Sequence, residues 1–410
     1  MLIGSEHILF SHAKWIIRRI ETRWFDGDSP PKANVEPIQV IGSFRFSLLT
    51  YCYVLSKCQS ARLTHPHIRK SMTLSELQDL HSLPFFELLK RSHEVHEANF
   101  PDGKIQLCTL LSIKTGGCSE DCAYCTQSAR YETDLKNERL LSKETVMESA
   151  RAAHENGSTR FCMGAAWRGV RGGTDRFDQV VDIIKDVSSL GMEVCVTLGE
   201  LGPDEAVTLK EAGVTAYNHN LDTSPEHYPN IVTSHTYEDR LRTIRNVQDA
   251  GISVCCGGIL GISETITDRL RLLEIISNFN PQPESVPINS LMPMPGTPLA
   301  DNPQVDPFDL VRMIACARIS VPGAKVRLSA GRTRLSDETQ ALCFYAGANS
   351  IFYGDKLLTA ENPEASKDLE LLSKLGLETL ESNRSLEAPL KDCDKPSNPA
   401  VKACTPAGCC

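Results

Sequence analysis

A chain of 410 residues has room for one large domain or two ordinary ones, and with 41% apolar and 23% charged residues it can build a real core. The net charge of −9 argues against a nucleic-acid partner, whose phosphates call for a basic face, and no run approaches the roughly 18 apolar residues that cross a bilayer. Sixteen cysteines would signal a disulfide framework in a short secreted domain; in a chain of this length each reads as a small buried hydrophobe unless its spacing or position says otherwise.

Residues 1–71 stand apart. Between Glu36 and Glu76 there is no acidic residue, while Arg45, Lys57, Arg62, Arg69 and Lys70 lie among serines, leucines and aromatics. That composition predicts an organelle transit peptide and a mitochondrial address. Glu6, Glu21, Asp26 and Asp28 fit it less well, leaving open a disordered extension, or a cytoplasmic protein that starts at Met72. Next, Leu77, Leu80, Leu83, Phe86 and Leu89 recur at helical spacing and predict a helix over 75–98 that caps one end of the fold.

From there strand and helix alternate. β-Branched apolar runs fall at 105–113, 159–164, 193–198, 215–221, 252–260, 285–291, 325–330 and 349–353. Helical patterns separate them at 142–155, 175–190, 203–212, 237–250, 264–277, 307–319 and 336–346. Start and stop signals support several: Ser142 with Thr145, closed by Gly157, and Asp204 opening a helix that ends at Gly213. Eight strands with intervening helices predict an α/β fold, a (β/α)8 barrel spanning 72–377. A doubly wound open sheet would show a Gly-rich nucleotide turn after its first strand; here the first strand runs into cysteines. Residues 378–410, rich in Ser, Asn, Pro, Lys and Asp, read as a disordered tail whose Cys393, Cys404, Cys409 and Cys410 are incidental.

The loop after the first strand reads GGCSEDCAYC, with thiols at Cys118, Cys122 and Cys125. Structural zinc would want a fourth ligand in a second CxxC or His pair, and no such partner stands at a plausible spacing. Three thiolates with one position open suit a 4Fe–4S cluster whose unique iron binds a substrate. The loop also lies at the carboxyl end of a strand, where barrel enzymes place catalysis.

Three more cysteines sit mid-strand: Cys162 on strand two, Cys195 on strand three and Cys255 on strand five. Barrel interiors are filled by Val, Ile and Leu, so three cysteines at such positions point to convergence on the axis, with Cys256 facing outward by alternation. Arg327 on strand seven carries a charge that is costly to bury alone. Thiolates holding a cluster would partner it; a carboxylate would do so equally well.

The strings KTGGCSEDCAYCTQSARY, STRFCMGAAWR, YNHNLDTSPE, VPINSL, VRLSAGR and GANSIFYGDKLLT together resemble the biotin synthase family, within the radical S-adenosylmethionine superfamily, over about residues 74–377. The resemblance implies a 4Fe–4S cluster on Cys118, Cys122 and Cys125 that cleaves S-adenosyl-L-methionine to a 5′-deoxyadenosyl radical. It implies a 2Fe–2S cluster on Cys162, Cys195, Cys255 and Arg327 that donates sulfur to dethiobiotin. Tyr124, Asn220, Asp222 and Arg240 correspond to S-adenosyl-L-methionine contacts, and Asn218, Asn220 and Asn289 to dethiobiotin contacts. Radical hydrogen abstraction needs no general base, so His219 reads as structural and no side chain beyond the cluster ligands is assigned a catalytic role. The family also implies a homodimer, a reducing electron-transfer protein and iron–sulfur assembly machinery.

Ser263 departs from the resemblance where a glycine is common, and Cys256 where a small residue is usual. Another radical sulfur inserter, of the lipoyl synthase type, would add an N-terminal cysteine triplet and a C-terminal Arg-Ser-Ser-Tyr element, and neither is present. A non-catalytic iron–sulfur protein would not need the polar strings around the triplet.

Overall fold

Strand alternation sends every second side chain to one face, and here that face is the inside of a closed barrel. The computed structural model describes residues 71–354 and 356–381; the readings for residues 1–70 and for the tail beyond 381 lie outside them. Its strands are β1 (Gln106–Lys114), β2 (Arg160–Ala165), β3 (Glu193–Thr197), β4 (Ala216–Asn218), β5 (Ser253–Cys255), β6 (Gly258–Leu260), β7 (Ser285–Ser290), β8 (Lys325–Leu328) and β9 (Ser350–Phe352). All pair in parallel, in the order β5-β4-β3-β2-β1-β9-β8-β7-β6, and a further β5–β7 pairing closes the ring.

β5 and β6 are halves of the fifth barrel strand, so the eight-stranded barrel stands. The break falls at Cys256–Gly257, where a Cβ on Gly257 would lie 1.9 Å from Pro287 O. Only glycine lets the two backbones approach that closely.

Helices return the chain between strands: α3 (Lys143–Glu155), α4 (Asp175–Ser188), α5 (Pro203–Glu211), α6 (Tyr237–Asp249), α7 (Ile266–Ser277), α8 (Pro307–Ser320) and α9 (Asp337–Tyr345); α10 (Ala365–Leu375) follows the last strand. Ser142 caps α3 as expected, by accepting from Thr145 N. Asp204 does not open α5: Gly202 is the N-cap, Pro203 takes the first helical position, and Asp204 stands in the first turn.

The helix expected over 75–98 is two, α1 (Leu74–His81) and α2 (Phe85–Asn99). Pro84 has no N–H to donate and restricts Leu83 away from helical angles, which ends the first helix. The pair lies against α7 and α8. Leu74 N donates to Glu274 Oε1, and Arg312 Nη1 donates to the carbonyls of His81 and Leu83. Just past 377 the backbone still pairs beside β1: Ile105 N donates to Glu378 O and Leu380 N to Ile105 O.

The barrel interior is layered. At the amino ends of the strands, Arg160, Glu193, Glu284 and Lys325 form a charged floor, with Arg160 Nη2 2.7 Å from Glu193 and 2.8 Å from Glu284. Two residues further along, Cys108, Cys162, Cys195 and Cys255 gather with Ala216 into one buried cluster. Another two residues on, Leu110, Gly164, Thr197 and Ser329 line the open mouth. Cys256 points the other way, into the apolar layer between sheet and helices, as alternation requires.

Candidate active site and cluster sites

The triplet loop begins with two left-handed glycines, Gly116 (φ 70°) and Gly117 (φ 67°), a turn that side chains resist. A Cβ on Gly116 would lie 2.7 Å from Lys136 O. The loop then closes on itself: Cys118 N donates to Gln127 O, and Ala129 N to Cys118 O. It docks on the segment that follows β4, where Ala123 N donates to Ile231 O and Asp121 Oδ1 accepts from the backbones of Thr233 and Ser234. Burial works to raise the Asp121 carboxyl, yet the hydroxyls of Thr233 and Ser234, followed by their backbone N–H groups, outweigh it and hold it well below the usual carboxylate range. Burial pushes all three thiols up, Cys125 to about 11. Unmetallated, they are neutral thiols; ligation must release their protons.

Cys118, Cys122 and Cys125 border a cavity of about 370 Å³ at the barrel mouth. Tyr124, Asn218, Asn220, Asp222, Arg240 and Asn289 border the same cavity. Arg240 is held on three sides. Its Nε donates to Tyr228 Oη at 2.8 Å, its Nη1 to Asn220 O at 2.9 Å, and its Nη2 lies 3.0 Å from Asp222 Oδ2. Tyr124 Oη donates to the same carboxylate oxygen at 2.9 Å. Asn220 Oδ1 accepts from Gly257 N, and Asn289 is fixed by Gly258 O and Ala330 N. These uncharged side chains can meet a sugar hydroxyl or a cyclic urea without transferring a proton.

His219 lines the cavity too, with its Nε2 buried and unpartnered among the described residues. Burial, then Arg240 and His235, hold its imidazole well below the ordinary value, so it is neutral at physiological pH.

Beneath the mouth lies the thiol layer, separated from the cavity by Leu110 and Phe352, which touch both. Cys162 and Cys195 are register partners on β2 and β3, and their thiols share one buried cluster with Cys255. Arg327 is buried here with no carboxylate within ion-pair reach among the described residues. Its Nε donates to Ser350 Oγ at 3.0 Å, its Nη1 lies 3.7 Å from Cys255 Sγ, its Nη2 3.3 Å from Cys108 Sγ, and its guanidinium 5.0 Å from the Phe352 ring centre. The carboxylate alternative is therefore excluded for Arg327; Arg160, one layer below, is the arginine so paired. A buried cation faced by thiols and by no carboxylate is an environment that would suit an anionic iron–sulfur cluster. Asn218 ties the two levels together: it lines the cavity and its Nδ2 stands 3.3 Å from Cys255 Sγ.

Among the described residues, no three His, Cys, Asp or Glu side chains are gathered tightly enough for a single metal ion. The thiol sets suit a group several ångströms across rather than one zinc. Sequence reading missed Cys108, although it stands mid-strand in the first apolar run like the three that were noticed. It also missed the support behind Arg240, where Tyr228 Oη meets His235 Nε2 at 2.8 Å and His235 Nδ1 meets Glu120. No spacing signal announces that relay.

A barrel of this kind, with a CxxxCxxC loop on its first strand and a polar mouth, defines the radical S-adenosylmethionine class, and the profile of the Radical SAM superfamily matches residues 112–276. That of the Biotin and Thiamin Synthesis associated domain matches residues 287–378. Solved structures agree on the fold. Methylornithine synthase superposes with a TM-score of 0.64 at 18% identity, over 76% of this chain and 95% of its own. The FeFe-hydrogenase maturase of Carboxydothermus hydrogenoformans gives 0.64 at 17%, over 81% and 80%.

Relatives by sequence go further. Proteins named biotin synthase are 55% identical in Azoarcus sp. (strain BH72), over 76% of this chain and 95% of theirs, and 55% identical in Synechococcus elongatus, over 77% and 98%. The chain belongs to the biotin synthase family. Its cofactors are those of the family: S-adenosyl-L-methionine with a 4Fe–4S cluster, and a 2Fe–2S cluster.

Proposed function

We propose that this chain converts dethiobiotin to biotin by radical sulfur insertion. The observation that carries the reading is a cavity bordered by the Cys118–Cys122–Cys125 loop, with the Cys162–Cys195–Cys255–Arg327 layer lying beneath it behind Leu110 and Phe352. When bound, the clusters and S-adenosyl-L-methionine supply a 5′-deoxyadenosyl radical and sulfide. The chain's own part is to bind, orient and exclude water.

In this reading Cys118, Cys122 and Cys125 ligate the four-iron cluster, and Cys162, Cys195, Cys255 and Arg327 the two-iron cluster. Arg240, braced by Asp222 and Tyr228, takes the carboxylate of S-adenosyl-L-methionine; Tyr124, Asn220 and Asp222 take its nucleoside half. Asn218, Asn220 and Asn289 hold the ureido ring of dethiobiotin. Leu110 and Phe352 supply the apolar wall between the cavity and the thiol layer.

Anaerobic reconstitution with iron, sulfide, reductant and S-adenosyl-L-methionine tests the reading. The expected result is 5′-deoxyadenosine and biotin that both depend on added dethiobiotin; reconstituted protein forming neither would end it. The reading also includes a homodimer, a reducing electron-transfer protein, cluster-assembly machinery and a mitochondrial address carried by residues 1–71. Mass spectrometry of the mature N-terminus in cells tests the address: a terminus well downstream of Met1 in a mitochondrial fraction supports it, and intact Met1 in the cytosol refutes it.

A further inference from the structure

Cys108 is buried on β1 with its Sγ 3.3 Å from Arg327 Nη2 and 3.5 Å from Ser350 Oγ. Cys256, Cys316 and Cys343 are buried as well, but they sit in the apolar layer between helices and sheet. Cys108 instead belongs to the cluster of Cys162, Cys195 and Cys255. The guanidinium that meets Cys108 through Nη2 meets Cys255 through Nη1, at 3.7 Å. Cys108 and Arg327 thus flank the three other thiols in mutual contact, and removing one leaves the other at the site. A two-iron cluster takes four protein ligands, four thiolates being its ordinary set, and soft iron–sulfur centres favour thiolate.

We infer that Cys108 is a fourth cluster thiol, able to ligate iron in place of Arg327 when the guanidinium is withdrawn. The inference rests on reading the thiol layer as the two-iron site. In the exchange the iron–nitrogen bond to a neutral guanidine breaks, an iron–sulfur bond to Cys108 forms, and the Cys108 proton passes to the freed guanidine, which becomes a guanidinium again. Iron keeps its oxidation state and its coordination number. Arg327 is then not required for holding the cluster, and a chain lacking it carries an all-thiolate centre.

Four proteins decide the matter after anaerobic reconstitution: the unaltered chain, Cys108→Ser, Arg327→Met and the double variant. Iron and sulfide content and Mössbauer spectra are measured, with far-UV circular dichroism and the four-iron signal as controls for folding. If the unaltered chain binds only a four-iron cluster, the two-iron reading itself falls and takes the inference with it. If it binds both, the variants test Cys108. Cys108→Ser and Arg327→Met are each expected to keep the two-iron cluster, the two irons of Arg327→Met becoming nearly equivalent as in an all-thiolate centre. The double variant is expected to lose the two-iron cluster at least tenfold while retaining the four-iron one. Loss in either single variant, retention in the double variant, or inequivalent irons in Arg327→Met overturns the inference. The last spectrum decides the point by itself should the double variant not fold.

Discussion

Arg240 uses the whole fork of its guanidinium, meeting a phenol, a carbonyl and a carboxylate in three directions, a pattern that a lysine point charge cannot reproduce. Arg240→Lys should therefore weaken S-adenosyl-L-methionine binding by about 1.5–3 kcal/mol, roughly 10- to 150-fold in Kd. Equilibrium dialysis on the reconstituted protein measures this, and an unchanged Kd would remove Arg240 from the site. Ser263 makes a contrasting point about stability. It sits at φ 69°, the left-handed region, and its Oγ accepts a 3.0 Å hydrogen bond from Asn302 Nδ2 at the surface. A glycine adopts that backbone freely, which gives a physical reason for glycine to be common in such a turn. Ser263→Gly should stabilise the chain by about 1 kcal/mol and raise Tm by roughly 2 °C in calorimetry; a lower Tm would mean that the Asn302 bond outweighs the backbone strain.

Between residues and barrel lie the elements, and there the sequence was legible wherever one pattern served one element. All eight strand runs became barrel strands because each is a β-branched segment closed off by polar helix starts. The 75–98 helix misled because its apolar spacing runs unbroken across Pro84 while the helix does not. After the break the register resets, so α2 buries Leu88, Leu89, Ser92 and His96 and leaves Phe86 78% exposed. Cys108 escaped notice because a cysteine in an apolar run looks like any small hydrophobe; its partner Arg327 lies 219 residues away in sequence. The triplet was legible because its three thiols share one loop, and that loop depends on its glycines. Gly116→Ala forces a Cβ to within 2.7 Å of Lys136 O at φ 70°, costing about 1–2 kcal/mol of backbone strain plus the clash. The expected outcome is at least a severalfold loss of four-iron cluster with unchanged far-UV circular dichroism. Full iron occupancy would show that the loop has another way to turn.

At the scale of the whole molecule, a barrel that opens its mouth to a substrate must close its other end, and this one does so with charge. Arg160 lies between Glu193 and Glu284 while Lys325 bridges the same two carboxylates, so two cations and two anions cancel within the ring. Burial alone would raise the Glu284 carboxyl, but Arg160 and Lys325 outweigh it and hold it at about 2, against an ordinary 4.5. A carboxylate depressed on folding stabilises the native chain fully above its unfolded value, and that contribution disappears as pH falls from about 4.5 through about 2. A shift of this size corresponds to about 3 kcal/mol. Glu284→Gln keeps the shape and removes the charge, leaving Arg160 with Glu193 alone. The urea midpoint of the cluster-free variant should therefore fall at pH 7 by the equivalent of about 3 kcal/mol, and the gap from the unaltered chain should close toward zero as pH approaches 2. A gap that stayed constant with pH would mean that Glu284 acts through packing, and that the charged floor is not what closes the barrel.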